Sequence, residues 1–241
     1  MKKTDELPSQ QEIDAVKLNW RRYILPAIHP EGLKILAVEL FIVVVLALLF
    51  APILYVGVPV LVFSFYFFRN PVRVPPKDEM LIVAPADGIV SNIKPVVPPK
   101  ELDLGTEPMT RISIFMSVFS VHVNRSPVAG TVHRLNYRPG KFVNVADKDS
   151  EDNERQEISL IATNGQKIGC VQIAGLVARR IYCPLKVGDK LGLGQVFGMI
   201  RFGSRLDVFL PDGVYPLVRP GQTMVAGETV LADMTQVSEH K

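Results

Sequence analysis

Hydrophobic and polar positions divide the chain into distinct regimes. From Leu33 to Phe68 nearly every residue is apolar, and Lys34 and Glu39 are the only charges. A stretch of this kind is not a soluble helix. As one straight helix it would measure about 54 Å, at about 1.5 Å per residue, against a hydrocarbon core of about 30 Å. Pro52, Gly57 and Pro59 sit near its middle, where a missing amide donor and a loose backbone favour a break. The pattern predicts two short apolar helices joined by a Pro/Gly turn, an α-helical membrane hairpin over residues 33–68. Each half is at or below spanning length, so two full spans and a re-entrant hairpin both fit.

Residues 1–32 form a juxtamembrane segment, with a short amphipathic helix expected before Pro26 and Pro30 stop it. Basic residues flank the apolar run: Lys17, Arg21, Arg22 and Lys34 before it, Arg69, Arg73 and Lys77 after it. Positive charge on both flanks puts both ends in the cytoplasm. Trp20, Tyr23, Tyr66 and the phenylalanines from Phe63 to Phe68 fall where aromatic rings settle among headgroups. A cleaved signal peptide fits less well, because its apolar core of about 7–15 residues is far shorter than this run.

After the proline-rich linker FFRNPVRVPP the pattern changes to short β-branched runs punctuated by glycine and proline. Residues 69–241 therefore read as a mainly β domain, a sandwich or a barrel-sandwich-like fold. KVGDKLGLGQVFG and VRPGQTMVAGETVLA share one plan of turn, short strand and turn, similar to the barrel-sandwich folds of lipoyl and biotinyl carriers. RISIFMSVFSVHV reads as one strand, with His122 on the face of Ile112, Ile114, Met116 and Val118.

Composition narrows the chemistry. A net charge of +3 spread thinly over 241 residues lacks the basic, aromatic-studded surface that nucleic acid requires. Cys170 and Cys183 have neither CxxC spacing nor neighbouring histidines, so no zinc site and no disulfide framework is expected. Of the four histidines, only His122 and His133 lie in the β region. His122 is either a hydrogen-bonded core residue or a working base. His133, in GTVHRL, reads more as an ordinary strand residue and stands in reserve. Asp87, in APADG, is first of all a turn signal. Ser204 follows Gly203 in MIRFGSRLDVFLP, where a Gly-Ser pair interrupts a strand and marks either a β-bulge or something less ordinary. Arg125 and Arg205 are adjacent cations that read as solvated charges.

Together these pieces resemble a known family. APADG, FMSVFSVHVNRSPVAG, YRPGKF, NER and RFGSRLDVFLP occur in this order between Arg69 and Met234, and with the apolar anchor they are similar to the phosphatidylserine decarboxylases, in particular the short bacterial form. The resemblance implies a proenzyme cut between Gly203 and Ser204 by the serine's own hydroxyl. Glycine suits that place because the hydroxyl must approach the carbonyl closely. The products would be a large beta chain, 1–203, and a small alpha chain, 204–241, held as a heterodimer, with a higher oligomer left open.

Ser204 would become a pyruvoyl cofactor, and no metal is implied. That group would form a Schiff base with the amine of phosphatidylserine, the imine acting as electron sink while carbon dioxide leaves. Phosphatidylethanolamine would result, at the cytoplasmic side of the inner cell membrane. His122 would be the base and general acid, with Asp87 as its orienter. Longer members carry two histidines in this segment, and here Arg125 occupies the later position. Archaetidylserine or a soluble amino acid as substrate, and a tethered binding module, are the rival readings. A metallopeptidase would need paired ligands such as His-x-His, which the four histidines do not offer.

Overall fold

A computed structural model describes residues 25–140, 153–175, 180–201 and 204–237. The expected amphipathic helix before Pro26, with Trp20 and Tyr23, lies outside the described residues, as do Phe202 and Gly203.

The apolar run forms two helices, α1 (Pro30–Leu49) and α2 (Leu54–Phe67), joined through a 3-10 turn at Ala51–Ile53. Phe50 is extended, and Pro52 follows it in the turn. The break therefore falls at 50–53, earlier than Gly57 and Pro59, which both lie inside α2. Gly57 serves helix packing: a Cβ there would come within 2.7 Å of the Val43 side chain on α1. Pro30 starts α1 where a helix end was expected, because the first helical position has no use for an amide donor. His29 caps that end, its Nδ1 accepting the Glu31 N–H at 3.3 Å.

The two ends of the hairpin return to one place. The His29 N–H donates to Phe68 O at 2.9 Å and the Asn70 N–H to Ala27 O at 2.6 Å. Between those ends the apolar surface is bare, with Phe41 69%, Leu48 83% and Tyr55 86% exposed. α1 is long and apolar enough to cross a membrane, whereas the second arm, Ala51–Phe67, is shorter.

The remainder is mainly β, with a curled half-barrel sheet. In chain order its strands are β1 (Leu81–Val83), β2 (Gly88–Val96), β3 (Met109–Met116), β4 (Val123–Arg125), β5 (Gly130–Arg138), β6 (Arg155–Ala162) and β7 (Lys167–Ala174). There follow β8 (Ile181–Tyr182), β9 (Lys190–Leu191), β10 (Val196–Ile200), β11 (Ser204–Phe209), β12 (Val214–Pro216), β13 (Thr223–Met224) and β14 (Val230–Val237). The large sheet runs β13-β2-β3-β11-β7-β6-β5-β9, and two small sheets run β1-β14-β12 and β4-β10-β8. The core lies on the inner face of the large sheet, where Ile112, Ile114, Met116, Leu206, Val208 and Cys170 are fully buried.

The shared turn–strand–turn plan is visible as an internal duplication. Ala84-Pro85-Ala86-Asp87-Gly88 and Ser126-Pro127-Val128-Ala129-Gly130 hold equivalent places and reach across to each other: Val83 N–H donates to Pro127 O and Arg125 N–H to Pro85 O, both at 2.9 Å. Gly227 N–H donates to Ala84 O at 2.7 Å, and Gly194 N–H to Ser126 O at 2.9 Å. Gly194 and Gly227 have φ of 68° and 78° and face one another so closely that a Cβ on Gly194 would lie 3.3 Å from the Gly227 Cα. Only glycine takes this backbone shape without strain.

Two strand assignments differ from expectation. β3 ends at Met116, and the chain reverses at Ser117–Ser120, where the Ser120 N–H donates to Ser117 O at 2.9 Å. His122 therefore does not continue the Ile112–Met116 face. Nor do β10 and β11 form one interrupted strand: β10 pairs with β4 and β8, and β11 with β3 and β7, so the Gly-Ser pair falls where the chain passes from one sheet to another.

Candidate active site

Ser204 opens β11, between Met116 of β3 and Ala174 of β7. It is fully buried, and its Oγ has no hydrogen-bond partner among the described residues. A buried hydroxyl is normally satisfied, and leaving one unpaired costs about 1–3 kcal/mol. The surrounding polar groups bond one another instead. Gln172 Nε2 donates to Asn124 Oδ1 at 2.8 Å, and Asn124 Nδ2 faces Met116 Sδ at 3.8 Å, which ties β4 to the large sheet beside Ser204. Asn153 Nδ2 donates to Ala174 O and Ala174 N–H to Glu154 O, both at 2.9 Å. The Glu154 carboxylate accepts from the Tyr137 hydroxyl at 2.9 Å. The NER motif thus holds the strand end that pairs with Ser204.

His122 is buried, with its Nδ1 3.0 Å from Ser120 O. A carbonyl only accepts, so Nδ1 carries the proton and Nε2 presents a lone pair. That Nε2 is buried without a partner among the described residues. Burial brings the imidazole down to about pKa 4, against the pull of Ser120 O and with help from the Arg69 charge, so the ring is neutral at pH 7. Its face stacks on Phe67 with centroids 4.2 Å apart. The backbone of His122 also touches the crossing between sheets, its O accepting the Ile200 N–H at 3.2 Å. The two orphaned atoms therefore belong to residues at either end of the 201–203 connection: Ile200 bonds His122, and Ser204 begins β11.

Asp87 is not joined to His122 by a hydrogen bond. Its Oδ2 accepts from Arg73 Nη2 at 2.7 Å and its Oδ1 from the Ala226 N–H at 2.8 Å. Burial raises its pKa, opposed by the Ala226 N–H and by the charges of Arg73, Arg69 and Arg125. The orienting partner of His122 is the Ser120 carbonyl, which a sequence cannot advertise because every residue has one. Yet the fold does not require a carboxylate at position 87, since the equivalent turn closes with Ala129.

The other candidates separate cleanly. His133 lies 3.1 Å from Asp103 in a surface cluster with Lys167 and Arg134, away from Ser204. Arg125 is buried rather than solvated and clamps the linker, with Nη2 donating to Asn70 Oδ1 at 2.9 Å and Pro71 O at 2.8 Å. Arg205 is likewise held, its Nε 3.0 Å from Asp207 Oδ1. Their causes differ: chain from elsewhere covers Arg125, whereas Arg205 is held by a carboxylate two residues along its own strand. Among the described residues no cluster of three or more His, Cys, Asp or Glu is arranged to hold a metal.

Fold and site define a β protein with an apolar helical hairpin, in which a buried serine opens the strand on one side of a crossing between sheets and a neutral histidine bonds the strand on the other. A family model for phosphatidylserine decarboxylase matches residues 60–232. A phosphatidylserine decarboxylase proenzyme of Cereibacter sphaeroides is 55% identical over 214 residues, covering 88% of this chain and 92% of that one. Those of Ruegeria pomeroyi and Nitrobacter winogradskyi are each 53% identical, covering 90% and 87% of this chain and 100% and 85% of their own. The chain belongs to the phosphatidylserine decarboxylase family, a family of lyases.

Proposed function

We propose that this chain is a self-processing decarboxylase of phosphatidylserine, and that the buried, unpartnered hydroxyl of Ser204 is the group consumed in making its cofactor. The Ser204 Oγ attacks the Gly203 carbonyl carbon, and the peptide C–N bond is exchanged for an ester. Loss of the Cα proton then expels the Gly203 carboxylate, which ends a chain of residues 1–203. The dehydroalanine left at residue 204 takes up water and loses ammonia, leaving a pyruvoyl group on a chain of residues 204–241. The two chains stay together because β11 remains paired with β3 and β7.

Neutral His122, with its Nε2 lone pair exposed by the Nδ1 bond to Ser120 O, takes the hydroxyl proton. Asp87 acts as a positioning residue, holding Arg73 and the Ala226 amide around the site. The residues fit the cofactor because the hydroxyl from which it would be made is buried and, among the described residues, has no hydrogen-bond partner. When formed, the pyruvoyl group supplies an electron sink for the carbanion left by carbon dioxide. His122 returns a proton to that carbon, and burial excludes water from the exchange. The bare hairpin, with basic residues at its base, anchors the domain on the cytoplasmic face of the cell membrane, at the level of the substrate's head.

The test is the intact mass of the denatured, full-length protein. Two species meeting at Gly203 and residue 204, the smaller lighter by one ammonia than its serine form, are expected. A single uncut chain from folded protein would overturn the reading.

A further inference from the structure

At the base of the hairpin a cavity of about 240 Å³ is lined by Phe63, Tyr66 and Phe67 of α2, by Arg69, and by Val118 and Phe119 of the reversal after β3. Its walls are mainly apolar, and Arg69 is the one charged residue among those that line it. Arg69 Nη1 donates to Tyr66 O and Nη2 to Phe119 O at 2.8 Å. Among the described residues no carboxylate lies within ion-pair distance of it, unlike Arg73, Arg201 and Arg205. The charge is held in place by carbonyls, and the carboxylate whose field it feels, Asp87, is itself bonded to Arg73.

We propose that this cavity is the subsite for the substrate's phosphodiester, with Arg69 as the residue that binds it and the rings of Phe63, Tyr66 and Phe119 lining the path of the glycerol and first acyl carbons. The proposal deepens the decarboxylase reading and rests on it for the identity of the lipid. Three observations carry it. A fixed guanidinium without a carboxylate suits a phosphate, which it meets with parallel N–H donors. The cavity is smaller than the roughly 300–1,000 Å³ typical of pockets that enclose a whole ligand, which suits a head whose chains stay outside. It also opens where the bare apolar hairpin meets the β domain, beside exposed Tyr66 and Phe119, 44% and 76% exposed. Rings at that level sit among lipid headgroups.

The geometry also connects the subsite to the chemistry. Phe67 lines the cavity and stacks on His122 at 4.2 Å, so a head bound there is separated from the imidazole by one ring. The Arg69 charge acts on both His122 and Asp87.

The test uses the full chain in detergent carrying Ser204→Ala, which cannot turn substrate over, with and without Arg69→Gln or Arg69→Lys. Binding is measured for dihexanoyl-phosphatidylserine, for dihexanoylglycerol and for inorganic phosphate. Arg69→Gln is expected to weaken the phospholipid at least about tenfold, the loss of one charge-assisted contact, and to leave dihexanoylglycerol unchanged. Arg69→Lys, which keeps the charge but loses the parallel donors and the clamp on Tyr66 O and Phe119 O, is expected to retain part of the phospholipid affinity and to bind it more tightly than Arg69→Gln, whereas a purely structural clamp would fail equally in both. In the processed enzyme Arg69→Gln should raise KM far more than it lowers kcat. Unchanged phospholipid affinity in Arg69→Gln overturns the proposal, as does equal loss for all three probes. Inorganic phosphate binding as tightly as the phospholipid would make this a free-anion site and also overturn it. Failure of the wild-type chain to cut itself would instead defeat the decarboxylase reading, and the binding comparison, made on uncut protein, would still stand or fall by itself.

Discussion

The imidazole of His122 lies against the ring of Phe67, the last residue of α2, with centroids 4.2 Å apart and planes 29° from parallel. One side of the candidate base is thus built by the membrane hairpin. The hairpin is more than a tether: its final turn supplies part of the wall that buries His122 and keeps it neutral.

Replacing Ser204 by alanine removes the orphaned hydroxyl and nothing that is bonded to it. Ser204→Ala should fold without loss of stability, because no hydrogen bond is lost and a desolvated hydroxyl is relieved. It should remain one chain on a denaturing gel, with no decarboxylation. Two chains from this variant would remove Ser204 from its role.

His122→Phe preserves an aromatic face against Phe67 and removes both nitrogens. Loss of the bond to Ser120 O should cost about 1 kcal/mol, a small shift in thermal unfolding, whereas self-cleavage should slow by about a hundredfold or more. A time course of precursor and product chains checks this. Normal maturation would assign the base to another group.

Asp87→Ala puts at position 87 the residue that the duplicated turn already carries at Ala129. The β domain should therefore still form, at a cost of about 1 kcal/mol for the part-exposed ion pair with Arg73. Cleavage should slow by at least about tenfold as Arg73 and the 226 turn lose their common anchor. Unfolding midpoints and cleavage rates measured on the same preparation separate the two effects. A variant that matures at the normal rate would reduce Asp87 to a turn residue.

Stability should respond to pH through His122. Its folded pKa, about 4, lies below the ordinary 6.5, so the unfolded chain binds the proton more readily. The sign follows: the contribution is intact above about pH 6.5, falls as pH drops, and is gone below about pH 4, for a total of about 3 kcal/mol. The difference in denaturant midpoint between wild type and His122→Phe, taken from pH 7.5 to 4, isolates this titration from that of Asp87. A difference independent of pH would show that the ring is not held neutral.

Much of this protein is decided along the chain. An apolar run with two charges satisfies its backbone in lipid as helix, and its length and its prolines make that helix a hairpin. Short β-branched runs between glycines admit strands, and the two turn–strand–turn segments show a shared plan, whereas the pairing of the 84–88 and 126–130 turns across the fold appears only in the structure. The Gly-Ser pair likewise announced a discontinuity at Ser204. Partners were another matter. Nothing in SVFS, which has neither glycine nor proline, signals the reversal that detaches His122 from β3. No pattern distinguishes Arg69, with no carboxylate within ion-pair distance among the described residues, from Arg205, which Asp207 holds, or from Arg125, which the fold buries against carbonyls and an amide oxygen. Local sequence governs what each segment can become, because backbone preference and hydrophobic period act between near neighbours. Which buried atom remains unpaired depends on chain segments far apart in sequence closing over it. For Ser204 Oγ, His122 Nε2 and the Arg69 guanidinium, only the tertiary structure made that choice.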